Sequence, residues 1–249
     1  MIILIFFIAH WYLSLFTQTF FQHRYAAHGA FTMNKRWEKF FYIFTFIAQG
    51  SSFMSAKAYA IMHRMHHAFT DTEKDPHSPK FSPNVFSMMW STRKVYNDIL
   101  HDRADVEERF TKKLPEWKSL ENFGHRRITR IMWSFGYIAF YIIFATSPWL
   151  YLLLPLHFVM GPFHGAIINW YAHKYGEVKF KMSNTSKNLF AFDVLMMGEG
   201  LHNNHHKYPS HINFATGWKE FDPTYPLIMV LKYLRIIKVN KTIPVNQEF

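Results

Sequence analysis

The stretch from Met1 to His28, MIILIFFIAHWYLSLFTQTFFQHRYAAH, decides the fold, because an uncharged run runs straight into a pair of histidines. Ile2 to Gln22 holds no Asp, Glu, Lys or Arg, and roughly 20 apolar residues cross the hydrocarbon core of a bilayer. The run has no basic leading region and no small-residue cleavage site, so it reads as a retained anchor rather than a removable signal. His23 and His28 stand five apart, about 140° around an ideal helix, which places the pair across a helix end.

Two more histidine clusters lie further along: His63, His66 and His67 in HRMHH, and His202, His205 and His206 in HNNHH. Each is an i, i+3, i+4 set, which on a helix falls within an arc of about 100° and can aim three nitrogens at one point. The chain has 16 histidines and no cysteine, and neutral imidazole suits iron, zinc or copper. Solvated or capping histidines would not arrive as two triplets and a pair. Eight imidazoles also exceed what one tetrahedral zinc takes, so the pattern points to two metals.

Hydrophobic residues make up 49% of the 249, and they are gathered into runs. After Ile2 to Gln22 come Ile131 to Thr146 and Trp149 to Trp170, separated by Pro148, which read as a helical hairpin with a tight uncharged turn. The expectation is therefore an all-α integral membrane protein with one domain over 1–249. About three spans, 2–22, 131–146 and 149–170, form a stalk under a helical cap of 23–130 and 171–249.

Phe40 to Ala48 is apolar but too short to cross. As an interfacial helix it keeps all the histidine clusters on one side. Arg24, Lys35, Arg36, Lys39, Lys57, Arg126, Arg127, Arg130 and Lys174 flank that side and the Ser147 turn has none, so the positive-inside bias makes the cap cytoplasmic.

The net charge of +11 is accounted for by this membrane face without nucleic acid. Arg93 to Arg130 alternates in charge and reads as a solvated helical face. Leu227, Ile228, Leu231 and Leu234 oppose Lys232, Arg235 and Lys238, giving an amphipathic helix that lies on anionic lipid or packs on the cap.

HRYAAH (His23–His28), HRMHH and HNNHH resemble the three histidine boxes of the membrane fatty acid desaturases, in particular the acyl-CoA (stearoyl-CoA type) branch. The flanking TDTEKDPHSP and GEGLHNNHHKYP are similar as well, and the likeness runs from the first box to the region of Phe214. That family's additional histidine and asparagine match Asn169-Trp-Tyr-Ala-His173, an i, i+4 pair that can face the cap from one helix. The resemblance implies nine ligands, His23, His28, His63, His66, His67, His173, His202, His205 and His206, on two irons, with Asn169 touching one iron through water. The family usually has four membrane helices; three runs are read here, or four if Phe40 to Ala48 dips deeply.

Asp71, Asp75, Asp193 and Glu199 are candidates to accept the second ring N–H of the ligands, which fixes tautomer and basicity. His10, His157 and His164 at membrane depth read as interhelical hydrogen-bonding groups, and His101, His125 and His211 as surface or structural. His77 is a candidate neighbour of the ligands rather than a ligand. Glu199-Gly-Leu-His202 is the single Glu-x-x-His motif, so a carboxylate-rich four-helix iron site, which needs two, is excluded.

Removing hydrogen from an unactivated methylene demands an oxidant stronger than any side chain. The resemblance implies that two irons, dioxygen and two electrons take one hydrogen from each of two adjacent carbons of a fatty acyl chain, with acyl-CoA and a cis double bond of the delta-9 type expected. The acyl chain would lie in a tunnel lined by Phe, Trp and Met. The sequence has no cysteine for an iron–sulfur cluster and no dinucleotide fingerprint, so electrons are expected from a separate ferredoxin, flavodoxin or cytochrome b5-like protein, drawn to the basic cap.

Three other readings stand beside this one: a hydroxylase or epoxygenase on the same scaffold, a membrane metal store or carrier, and a structural membrane protein with incidental zinc. Zinc would also replace iron during overexpression, since affinity does not favour ferrous iron.

Overall fold

The structure, a computed structural model, describes residues 1–240; the end of the expected cap, 241–249, lies outside the described residues. Eleven helical segments carry the fold among them: α1 (Ile2–Ala27), α2 (Lys35–Gln49), α3 (Ala56–Phe69), α4 (Val85–Leu100), α5 (Glu108–Thr111), α6 (Lys118–His125), α7 (Arg127–Phe144), α8 (Pro148–Phe158), α9 (Met160–Lys174), α10 (His202–Lys207) and α11 (Thr224–Tyr233). The all-α expectation meets one exception. Strand β1 (Phe31–Met33) pairs antiparallel with β2 (Ile237–Val239), Phe31 opposite Val239, and ties the exit of α1 to the segment after α11.

By length and composition, α1 is the one helix among the described residues apolar enough to cross a membrane alone. Its inward face meets the α7–α8 hairpin, with the Phe6 and Phe140 rings 4.4 Å apart and His10 5.3 Å from Tyr137. The opposite residues Ile2, Leu4, Ile5 and Ile8 stay exposed.

The helix α7 starts at Arg127, before the expected Ile131, and ends at Phe144. Trp149 to Trp170, read as one span, is broken at Val159, where α8 and α9 meet at 78°. Pro162 has no N–H to give the preceding turn, and the carbonyls of His157 and Phe158 accept from the Ser51 hydroxyl instead, each at 3.4 Å. Irregular backbone in an apolar surrounding is tolerated where protein groups satisfy it.

Phe40 to Ala48 falls inside α2, whose first N–H groups are capped by the Asn34 side chain (3.0 Å to the N–H of both Arg36 and Trp37). Phe41 and Tyr42 pack on Phe20 and Phe21 of α1, whereas Phe40, Ile43 and Ile47 point outward. Arg93 to Arg130 is not one helical face but the end of α4, α5, α6 and the start of α7. Arg130 reaches inward to the Phe53 carbonyl at 3.3 Å.

The last helix packs one face on the cap and leaves Leu227, Val230, Tyr233 and Leu234 exposed on the other. Ile228 is buried and Leu231 packs with it against Phe20, Phe21 and Phe31. The helix stops before Leu234, and Lys238 belongs to β2.

Candidate metal centre

The first box works because α1 changes its winding. From Gln18 to Ala27 the helix is π-wound, and the His28 N–H donates to the His23 carbonyl at 3.1 Å. An i→i+5 repeat brings residues five apart onto one face, so His23, inside the last turns, and His28, the residue that caps the helix after Ala27, straddle the helix end as expected and still sit together. A second π-wound turn, Ile167–Tyr171, precedes His173. The triplets follow ordinary α-geometry on α3, capped by the Ser55 hydroxyl on the Ala58 N–H, and on α10.

Nine histidines converge in two groups. His23, His28, His63, His67 and His205 form one, and His66, His173, His202 and His206 the other; within each group the ring nitrogens lie within 4.8 Å of one another. In the first group Nε2 of His23 is 3.0 Å from Nε2 of His205, His28 is 2.8 Å from His63, and His67 is 3.0 Å from His63 and 2.8 Å from His205, always through Nε2. In the second, His66 and His206 are 3.2 Å apart, and His202 is 3.0 Å from both His173 and His206.

Carboxylates set which nitrogen carries the proton. Glu199 accepts from His23 Nδ1 at 2.8 Å and Asp75 from His66 Nδ1 at 2.9 Å, so both rings turn a lone pair inward. The Thr185 hydroxyl lies 3.1 Å from His173 Nδ1. Burial opposes ionisation of Glu199, but His23 and Arg24 outweigh it and hold the carboxyl below its ordinary range. For Asp75, burial is likewise overcome by His66 and His77.

Burial, reinforced by neighbouring rings, pushes His28, His63, His67, His202, His205 and His206 well below the ordinary imidazole value. Neutral rings with lone pairs crowded at these distances repel unless a cation lies among them. An all-nitrogen donor set of this kind suits iron or zinc, so the residues present fit two metal ions.

Of the four carboxylates expected beside the rings, two are there and two act at one remove. Asp71 accepts from the Ser78 hydroxyl (2.9 Å) and the Thr185 N–H (2.6 Å), and so holds the residue that faces His173. Asp193 accepts from the N–H groups of Met196 (3.0 Å) and Gly200 (2.6 Å) and folds the turn ahead of α10.

Sequence reasoning missed Arg24. It is fully buried and bridges Glu199 (3.2 Å) and Asp222 (2.7 Å), with Thr19 also in contact and its guanidinium 3.7 Å from the centre of the Phe214 ring. Burial keeps Asp222 above the ordinary carboxylate range despite that arginine. Gly198, at φ +93°, sits where an added Cβ would come 2.2 Å from the Asp222 carboxylate. A basic residue locked to a box histidine was a signal available in His23-Arg24.

Among the other histidines, His10 Nδ1 meets His157 Nδ1 at 2.6 Å, and His157 Nε2 meets the Tyr141 hydroxyl at 2.9 Å, the interhelical bonding expected of them. For His164 that expectation fails, since neither ring nitrogen has a hydrogen-bond partner. The His77 ring lies against His66, tilted by 34° with centroids 4.3 Å apart, and groups with His66 and Asp75. His125 bonds Tyr96 at 3.0 Å, His211 stacks on Tyr208 and His101 is exposed.

Beside the rings lies a cavity of about 540 Å³. His63, His202, Glu199 and Asn169 form its wall near the histidine groups, and Phe53, Met54, Met62, Met89, Phe158 and Met196 make most of it apolar. Arg93, Asn97 and Arg130 line it on the cap side. Asn169 is thus on the cavity wall, four residues before His173.

Residues 1–229 match the family model for fatty acid desaturases, and the chain belongs to that family. It is 30% identical over 229 residues to the sn-1 stearoyl-lipid 9-desaturase of Synechocystis, covering 91% of this chain and 66% of that one. It is 28% identical to the delta-9 acyl-lipid desaturase 1 of Arabidopsis thaliana (86% of this chain, 66% of that one). It is also 29% identical to the acyl-CoA 5-desaturase AL21 of Anemone leveillei (88% and 65%). The chain therefore spans about two thirds of the length of these relatives.

Proposed function

We propose that the chain desaturates a fatty acyl chain with dioxygen, introducing a cis double bond, with the nine histidines holding two irons and Asn169 reaching one of them through water. The observation that carries this reading is the division of the histidines into two buried groups beside an apolar cavity. Two bound irons would supply the oxidising power: with dioxygen, two electrons from a donor and two protons, the two hydrogens removed from adjacent carbons would leave in two waters. The protein's part is placement. Glu199 and Asp75 orient rings, Arg24 and Asp222 brace Glu199, and the cavity lays methylenes past His63 and His202 while excluding water.

The substrate is an acyl-CoA of the delta-9 type, its anionic head meeting Arg93 and Arg130. A lipid-bound acyl chain is the second reading, favoured by the names of two of the relatives. The membrane arrangement proposed is α1, α7 and the broken α8–α9 unit as crossings, with the histidines on the cytoplasmic face. Electrons come from a separate acidic carrier, a ferredoxin, flavodoxin or cytochrome b5-like protein, attracted by the positive cap.

The test is to incubate membranes containing the protein with labelled stearoyl-CoA, or with labelled stearoyl lipid, dioxygen and a reducing system, and to read products by mass spectrometry. An olefin two hydrogens lighter is expected. A product heavier by one oxygen would replace this reading with the hydroxylase one, and unchanged substrate from both carriers would overturn it.

A further inference from the structure

His164 is the polar residue the cavity does not explain. It is 1% exposed, it lines the cavity, and neither Nδ1 nor Nε2 has a protein partner. A buried imidazole without a partner is costly, and an all-methylene chain laid against it would offer none. The Trp11 ring meets it edge-on with centroids 4.6 Å apart. Trp11 stands twelve residues ahead of His23 on α1 and His164 nine ahead of His173 on α9, so His164 lies on the part of the cavity wall removed from the histidine groups, where Phe158 and Val159 also line it. The bonded pair His10–His157 joins α1 to α8, the helix before the bend that leads into the α9 of His164. Gln18, whose Oε1 is also buried without a partner, lines the same cavity.

We infer that His164 is the polar floor of the acyl cavity and a specificity-determining residue: it keeps polar company at the bottom, water or a polar chain end, and so limits the length of methyl-ended chain that the cavity takes. The inference rests on the acyl-chain reading of the cavity. A chain short enough to stop above His164 leaves its nitrogens hydrated. A longer one must strip them and put a methyl group in their place, a mismatch with a site built for a hydrogen bond. A long chain ending in a hydroxyl can replace the displaced water and escapes the penalty.

Two measurements test this. In membranes carrying the His164→Leu variant, conversion of docosanoyl relative to palmitoyl chains should rise about tenfold over wild type, whereas His164→Gln should keep the wild-type ratio. With purified wild-type protein alone, ω-hydroxydocosanoyl-CoA should displace bound labelled stearoyl-CoA at about one tenth the concentration that docosanoyl-CoA needs. An unchanged ratio in His164→Leu, or equal displacement by the two long chains, overturns the floor. The displacement arm needs no turnover and no variant, so it decides even if His164→Leu fails to accumulate. Stearoyl-CoA that binds and is displaced as expected, yet is never desaturated, would count against the desaturase reading and not against the floor.

Discussion

Asp193 accepts from two backbone N–H groups in the turn that delivers Glu199 and His202, and it does so without touching a ring. Burial raises its carboxyl from 3.8 to about 6. A folded value above the unfolded one means that its favourable contribution is fully present below pH 3.8 and is lost as pH rises through about 6. At about 1.4 kcal/mol per pKa unit the loss is at most about 3 kcal/mol.

Asp193→Asn cannot ionise, but it offers one oxygen where two N–H groups need an acceptor, so it is expected to be less stable than wild type at every pH. The gap should be wider at pH 5 than at pH 7.5, read by thermal unfolding in detergent. A gap that stays constant or grows with pH would contradict the burial of this carboxyl.

Among the elements, those whose chemistry repeats at helical spacing were legible in the sequence. The i, i+3, i+4 triplets on α3 and α10 needed only α-geometry, and the run leading into His23 needed only its length and lack of charge. The π-winding of Gln18–Ala27 was not legible, because no side-chain pattern distinguishes an i→i+5 turn from an α-turn; the backbone bond from the His28 N–H to the His23 carbonyl reveals it. Nor was the break at Val159, where the uncharged composition continues across the bend and only Pro155, Gly161 and Pro162 hinted at it. The buried ion pairs of Arg24 were hidden for another reason: an arginine beside a membrane run looks like a snorkelling anchor until Glu199 and Asp222 arrive from nearly 200 residues away.

The hairpin of α7 and α8 allows its own test. The chain has no cysteine, so Ser147→Cys, in the turn between them, can be labelled alone. The proposed topology expects reaction with a membrane-impermeant maleimide from the outer side, and labelling from the cytoplasmic side only would contradict it.

At the scale of the whole molecule, α1, α7 and α8 present an apolar exterior while the residues above them gather charge and imidazole. The net charge of +11 fits both an anionic membrane surface and an acidic electron carrier. The central claim is that the two histidine groups hold two irons that do the chemistry. Iron content per chain, measured on an iron-replete preparation whose turnover is assayed in parallel, tests it most directly. Two irons per chain are expected in the active protein. His205→Ala, which removes a nitrogen from the five-histidine group, should lose iron and turnover while still inserting in the membrane. One iron or none in a preparation that remains active would contradict the account.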